Sequence, residues 1–176
     1  MFKEIKKCRF CFNKKLTSVI DLGKQPPANS LQKKISKQKK VPLKMLRCEK
    51  CSLLQLSSTV EPKYLFSKYV WVTGTSKVIK DYRKFFVKKV LNKNKYQEKK
   101  LLEIASNDGF FLEEFKRKKF KIIGVDPARN IANKANQRGI KTLPIFFNQK
   151  NAKYIGKKYF KPNIIICRNV VPHVEN

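Results

Sequence analysis

The clearest hydrophobic pattern in the chain lies at residues 101–115, LLEIASNDGFFLEEF. An apolar run gives way to a polar turn ending in Gly109, and Phe111, Leu112 and Phe115 then share one face of a helix. The pattern predicts strand, tight turn, helix. A second unit follows at once: KIIGV at 121–125 predicts a strand, Asp126 sits at its C-terminal end, and Pro127 opens a helical pattern running to Arg138. Gly139 ends that helix as a C′ residue, and residues 140–143 predict a short third strand. NIIIC at 163–167 is almost continuously apolar, as expected of a parallel strand covered on both faces, with Cys167 packed inside. This alternation predicts an α/β fold with a doubly wound, Rossmann-like sheet, whose ligands bind beyond the C-terminal strand ends.

Upstream the periodicity is weaker. LLQLSSTV at 53–60 partly alternates and predicts a strand, which Glu61-Pro62 ends. Tyr64, Phe66, Tyr69 and Trp71 then cluster with Gly74, Thr75 and Ser76, as an aromatic loop that either lines a cleft or seals an interdomain surface. Tyr82, Phe86 and Val90 recur on one helical face, and residues 92–100 are a polar connection. The expected organisation is an N-terminal domain over 1–75, a linker helix over 76–98 and a cofactor domain over 99–176.

Composition changes this picture in two places. The formal net charge is +30, which by itself would suggest nucleic acid. Yet only 7 of the 42 basic residues are Arg, and Lys is spread along the whole chain. Arg is the residue that reads bases and phosphates with two donors, so a diffuse lysine coat argues against nucleic acid as the partner. The lysine cluster at 33–40 has no interleaved aromatics for stacking bases. Cysteine usage is the second. Four of the five Cys fall in two C-x2-C pairs, Cys8/Cys11 and Cys48/Cys51, a spacing that suits zinc in a reducing cytoplasm better than disulfides. Four thiolates fill a tetrahedral shell, so such a zinc is structural. No apolar run is long enough to span a bilayer, and the N-terminus has no secretory h-region.

The turn at 105–109 offers Ala105, Asn107 and Gly109 where a dinucleotide site wants G-x-G-x-x-G, and it has no P-loop Gly-Lys-Ser/Thr. A phosphate-free nucleoside cofactor fits it better than NAD or ATP. Glu103 and Asp126, two acidic strand ends separated by one helix, have the layout of a doubly wound cofactor site.

These blocks resemble a known family. Residues 101–115, 124–147 (GVDPARNIANKANQRGIKTLPIFF) and 164–174 (IIICRNVVPHV) are similar to the S-adenosylmethionine domain of sugar C-methyltransferases that act on nucleotide-linked deoxysugars. The two C-x2-C pairs, LGKQPPANSL at 22–31, PLKMLRCEKCSLLQL at 42–56 and YVWVTGTS at 69–76 resemble the zinc-binding N-terminal domain of the same family, in the same order. The resemblance implies S-adenosylmethionine and a structural Zn2+ as cofactors and a nucleotide-linked sugar as substrate. It implies that Asp126 takes the ribose hydroxyls, that Glu103 binds the methionyl end or orders the turn, and that Asn107, Asp108 and Gly109 form the turn beneath the cofactor. Phe147 or Asn148 would flank the adenine, and Asn169 and His173 would sit near the ligand at the fourth strand's end. Ala105 departs from the family's usual Gly. The residues that remove the sugar proton lie, in that family, in a later Tyr- and His-containing segment absent from this sequence. The chain therefore reads as the amino-terminal part of a longer enzyme, a truncated gene product or one with a separately encoded C-terminal portion. Competing readings are an RNA methyltransferase of the same cofactor fold, a non-catalytic zinc-binding or partner-binding protein, and, weakest, an oxidoreductase.

Overall fold

A computed structural model describes the chain except residues 29, 35, 93–97 and 174–176. The segment at 22–31, the lysine cluster at 33–40, the connection at 92–100 and the stretch at 164–174 each reach into residues outside this description. The chain divides into two units, Met1–Ser67 and Lys68–Asn176. The division falls ahead of the expected boundary at 75. The helix expected as a linker lies in the second unit.

In the first unit β1 (Phe2–Glu4) pairs antiparallel with β5 (Ser58–Val60), while β2 (Leu16–Gln25), β3 (Val41–Cys48) and β4 (Leu54–Leu56) form an antiparallel sheet in that order. A short helix, α1 (Pro62–Phe66), closes the unit. The single strand expected at 53–60 is two strands. Ser57 donates its N–H to the Lys44 carbonyl and accepts from the Ile5 N–H, both at 2.8 Å, so the backbone changes partner there. Neither β2 nor β3 was legible as a strand. The β2–β3 pairing carries register shifts at Ser18/Ile20 and Asp21/Lys24, and these irregularities break the period-2 alternation that marks a strand. Among the described residues, the buried apolar side chains of this unit are Cys8, Val41 and Cys48. Two of the three are zinc-type ligands, so no ordinary core holds this unit together.

The second unit is built on a parallel sheet of β6 (Lys100–Ile104), β7 (Lys121–Val125), β8 (Thr142–Leu143) and β9 (Ile164–Cys167), ordered β8-β7-β6-β9. The chain steps outward from β6 to β8 and then returns to the far side of β6. The strand order thus reverses between β6 and β9, and the crevice at their C-terminal ends is where open α/β sheets bind ligands. On one face α2 (Lys77–Asn92), α3 (Phe110–Arg117) and α4 (Arg129–Gln137) pack through Val87, Leu112, Phe115 and Ala135 onto Leu101, Ile164 and Ile166. On the other, α5 (Gln149–Lys158) sets Ile155 against Leu102, Ile123 and Val125. Fully burying each Leu, Ile or Phe of this kind contributes about 1.5–3 kcal/mol. The helix α5 escaped the sequence reading because Ile155 is its one buried residue, too little for a periodic signal.

Two expectations are corrected. The second helix opens at Arg129, with Ala128 as its N-cap, and not at Pro127. Asp126 Oδ1 accepts the Ala128 N–H at 2.9 Å, and this side-chain turn occupies the residues before the helix. Cys167 is exposed, not packed, because α5 covers β6 and β7 while the same face of β9 stays open; Ile165 beside it is 57% exposed.

Gly124 in β7 is fixed by space. A Cβ there would lie 2.4 Å from Ser106 Oγ, 2.8 Å from Thr142 Oγ1 and 2.9 Å from Leu112 Cδ1. Gly124→Ala should therefore destabilise the second unit by about 1–3 kcal/mol, the usual cost of overpacking a close-packed interior. Urea unfolding would measure this, and an unchanged midpoint would show that the turn above Gly124 yields freely.

Candidate functional site

In the first unit the four cysteine sulfurs lie within 4.8 Å of one another. Cys8 and Cys51 sulfurs are 3.6 Å apart, and those of Cys11 and Cys48 are 3.5 Å apart. The two knuckles are near copies. Cys8 N–H donates to Asn13 O and Phe12 N–H returns to Cys8 O; Cys48 N–H donates to Leu53 O and Ser52 N–H returns to Cys48 O. Phe12 and Ser52, each directly after the second Cys of its pair, have left-handed φ of 59° and 61°. The backbone amides of Cys11 and Phe10 hold the Cys8 thiol below its usual range against burial. Burial works against ionising Cys48, but the amides of Cys51 and Lys50 bring it down to about 6. Cys51, despite the Leu53 amide, is pushed up to about 12 by burial and the three sulfurs around it. Four crowded thiols cannot all ionise unaided. A divalent cation with four sulfur ligands removes that conflict, so the donor set fits zinc.

In the second unit the turn leaving β6 holds three left-handed residues, Ala105 (φ 53°), Asn107 (φ 51°) and Gly109 (φ 72°). Asn and Gly adopt this conformation readily, whereas Ala105 costs on the order of 1 kcal/mol. A Cβ on Gly109 would lie 2.5 Å from Ile140 Cγ2, so that position needs glycine twice over. Every amide from 106 to 110 is satisfied within the protein: Ser106 on Val125 O, Asn107 on Asp126 Oδ2, Asp108 on Asn107 Oδ1, Gly109 on Ser106 O and Phe110 on Asp108 Oδ1. The turn therefore presents no cluster of free N–H groups to a phosphate.

Its acceptors are another matter. Asp126 takes the Asn107 N–H at 2.8 Å and the Ala128 N–H at 2.9 Å, one on each oxygen, which leaves each oxygen a further lone pair. Burial raises its pKa against those two amides. Glu103 is 1% exposed; its Oε1 accepts from Arg168 Nη2 at 2.6 Å and Nε at 3.1 Å, while its Oε2 is buried with no partner. Burial pushes Glu103 up to about 7, Arg168 pulls it down, and Asp108 and Asp126 add to the rise. Spare acceptor capacity on two carboxylates, with no open amide nest, fits a cofactor bearing ribose hydroxyls and an ammonium.

Asn107 and Asp108 turn their side chains the other way. Asn107 Oδ1 accepts from Thr73 N at 2.9 Å and its amide donates to Trp71 O at 3.1 Å; Asp108 Oδ2 accepts from Gly74 N at 3.3 Å and from Arg138 at 3.2 Å. Asn130 and the Tyr69 backbone bond reciprocally at 2.8 and 3.1 Å. Residues 69–75 are thus a strap tied across the turn. Asn148 is the N-cap of α5, accepting Asn151 N at 2.9 Å, and Phe147 packs on the Leu102–Ile155 core. Asn169 follows β9 with φ 53°, and His173 lies on the 3-10 turn Val171–His173. Arg168 escaped the sequence reading, though its place directly after β9, facing a switch point, was the available signal.

Residues 75–176 match a family model described as "Methyltransferase domain", which covers more than half of the chain. The chain belongs to that methyltransferase domain family. Residues 8–66 match a model described as "Putative zinc binding domain". C-methyltransferase NovU of Streptomyces niveus is 28% identical over 176 residues, spanning 98% of this chain and 42% of the relative. The chain thus spans less than half the length of that curated relative. The family brings S-adenosylmethionine as the methyl donor, and the four-cysteine cluster with its own domain match brings zinc. The fold is a small zinc-binding unit followed by a partial Rossmann-like methyltransferase sheet. Among the described residues, no helix is long and apolar enough to cross a membrane.

Cys48→Ser should release the metal, taking bound zinc from about one per chain to nearly none, and should unfold the first unit while the helical signal of the second persists. Atomic absorption and circular dichroism check this; full zinc retention in the variant would remove Cys48 from the ligand set. Glu103 gives a pH prediction. Its folded pKa of about 7 lies above the ordinary 4.5, so its contribution to stability is fully present below pH 4.5 and is lost as pH rises through about 7. The stability of the cofactor-free wild type relative to Glu103→Gln should therefore fall by up to about 3 kcal/mol over that window. Denaturant unfolding at a series of pH values measures it, and a constant difference would mean that Arg168 keeps Glu103 ionised throughout.

Proposed function

We propose that this chain is the amino-terminal part of an S-adenosylmethionine-dependent C-methyltransferase that methylates a nucleotide-linked 4-ketosugar at C3. The observation that carries the reading is the pairing, in one chain and in this order, of a four-cysteine unit with a methyltransferase unit, over 98% of which a C-methyltransferase aligns. Four thiols clustered as zinc ligands suit a reducing compartment, and in this reading the protein works in the cytoplasm.

Cys8, Cys11, Cys48 and Cys51 hold zinc, with no position left for water. Asp126 receives the ribose hydroxyls on its spare lone pairs, and Glu103 receives the α-ammonium on Oε2. Gly109 lets the turn pass close beneath the cofactor, with Phe147 and Asn169 flanking it. Asn107 and Asp108 act through the strap they hold, and Asn148 acts by starting α5. Trp71 on that strap is 55% exposed and so accessible to a ligand. When bound, the cofactor supplies an electrophilic methyl group on a sulfonium. On the substrate, a keto group at C4 acidifies the neighbouring C3–H, and its removal makes C3 the nucleophile. The residues described here orient the donor for that encounter. His173 is a near-site residue in this reading, and proton abstraction belongs to the portion of the enzyme contributed by further or separately encoded sequence.

Calorimetric titration tests the donor site. The zinc-loaded chain should bind S-adenosylmethionine saturably, and Asp126→Asn should weaken binding by on the order of 100-fold if two charge-assisted hydrogen bonds are lost. Equal binding by a folded Asp126→Asn chain would remove Asp126 from the site, and no binding by the wild type would end the cofactor reading for this chain.

A further inference from the structure

The strand order reverses between β6 and β9, and the two side chains that meet across that point are Glu103 and Arg168. Their contact is lopsided. Both Nη2 and Nε of Arg168 donate to the same oxygen, Oε1, at 2.6 and 3.1 Å, and Oε2 is left buried and unpartnered. An ordinary fork-on-fork pair would engage both carboxylate oxygens. The guanidinium is itself held, lying 3.3 Å from the centroid of the Phe111 ring and 5.5 Å from that of Phe86. These rings belong to α3 and α2, so three elements fix one planar group. Arg168 is 22% exposed and Glu103 1%.

We propose that Arg168 is a positioning residue for the donor's amino-acid end: it locks Glu103 in one orientation through Oε1 and reserves Oε2 for an α-ammonium. The inference rests on the cofactor reading of this site. The charged groups that face Glu103 are Arg168 from the end of β9, Asp108 from the turn and Asp126 from the end of β7, two of them negative. Arg168 is therefore the cation that opposes protonation of this carboxyl in a crowd of carboxylates. Without it Glu103 takes up a proton more readily, and a neutral carboxyl no longer attracts an ammonium. Lysine would carry the charge but could neither stack flat on Phe111 nor grip with two nitrogens.

The test compares two ligands on the zinc-loaded 176-residue chain. S-adenosylhomocysteine carries the α-ammonium, and 5′-methylthioadenosine has the same nucleoside without it. Arg168→Met, which keeps a long apolar side chain against Phe111, should weaken S-adenosylhomocysteine about tenfold near neutral pH and leave methylthioadenosine within about twofold. The pH at which S-adenosylhomocysteine binding is half lost on acidification should move upward in that variant. Arg168→Lys should restore part of the affinity and most of the pH profile. Equal weakening of both ligands, or an unmoved pH profile, would mean that Arg168 only supports the fold and would overturn the proposal. If Arg168→Met does not fold, Arg168→Lys decides: a loss confined to S-adenosylhomocysteine supports the proposal and equal losses overturn it. A wild type that does not bind S-adenosylhomocysteine refutes the cofactor reading and the inference with it, whereas wild-type binding with equal losses of both ligands in the variants refutes only the inference.

Discussion

Three carboxylates, Glu103, Asp108 and Asp126, are buried around one five-residue turn, and the second unit is arranged to tolerate that concentration of negative charge. Burying an unpaired carboxylate costs several kcal/mol, so each must find a donor. Asp126 finds two backbone amides, and Asp108 finds the amides of Gly74 and Phe110 together with Arg138. Glu103 finds Arg168 on one oxygen only. The arginines complete the arrangement: Arg83 lies over the Phe110 ring and bonds its carbonyl and Glu113, and Arg138 joins Asp108 to Glu113. Arg83, Arg117, Arg138 and Arg168 all pair with carboxylates of this unit. Of these, Arg83 is buried and Arg168 half-buried, settings in which a planar, always-charged group is worth more than a point charge.

The sheet was legible because its strands and its first helix follow strong local rules. Residues 101–104, 121–125 and 164–166 are apolar runs, and Phe111, Leu112 and Phe115 keep helical spacing. The acidic strand ends and the departure from G-x-G-x-x-G were equally readable, and they pointed to a cofactor without phosphate. The partner choices of the turn's side chains were not readable. Asn107 and Asp108 lie at the right place in sequence for a cofactor contact, yet both are spent on backbone 34 to 36 residues upstream, and nothing local to the turn encodes that strap. Arg168 was missed for a similar reason: its meaning depends on β9 lying beside β6, a long-range pairing.

The first unit shows the opposite balance. Its chemistry was plain from two C-x2-C pairs, while its strands were obscure. Both facts have one cause. A unit whose buried apolar side chains are so few, and include two of the thiols, has little need of a regular hydrophobic alternation, because the metal supplies what a core would. Structural zinc sites contribute roughly 10–16 kcal/mol of apparent binding energy, more than the net stability of most small domains. The constraint on sequence therefore sits in the knuckles, with their paired hydrogen bonds and left-handed Phe12 and Ser52, and relaxes along β2.

The strap at 69–75 joins these levels. Its backbone is held by side chains that the sequence pattern assigns to a cofactor, so the turn that follows β6 also fixes the segment that carries Trp71. Asn107 makes the link tight. Its own amide is anchored by Asp126, and its side chain reaches Thr73 and Trp71. A ligand drawing on the lone pairs of Asp126 would thereby act on the residue that holds the strap. An aliphatic residue at 107 could not do this, since the left-handed backbone and the two-way amide are both required. The substitution of Asn for the glycine expected of a nucleotide-binding turn is then the feature that makes the turn a clamp, not a defect in it.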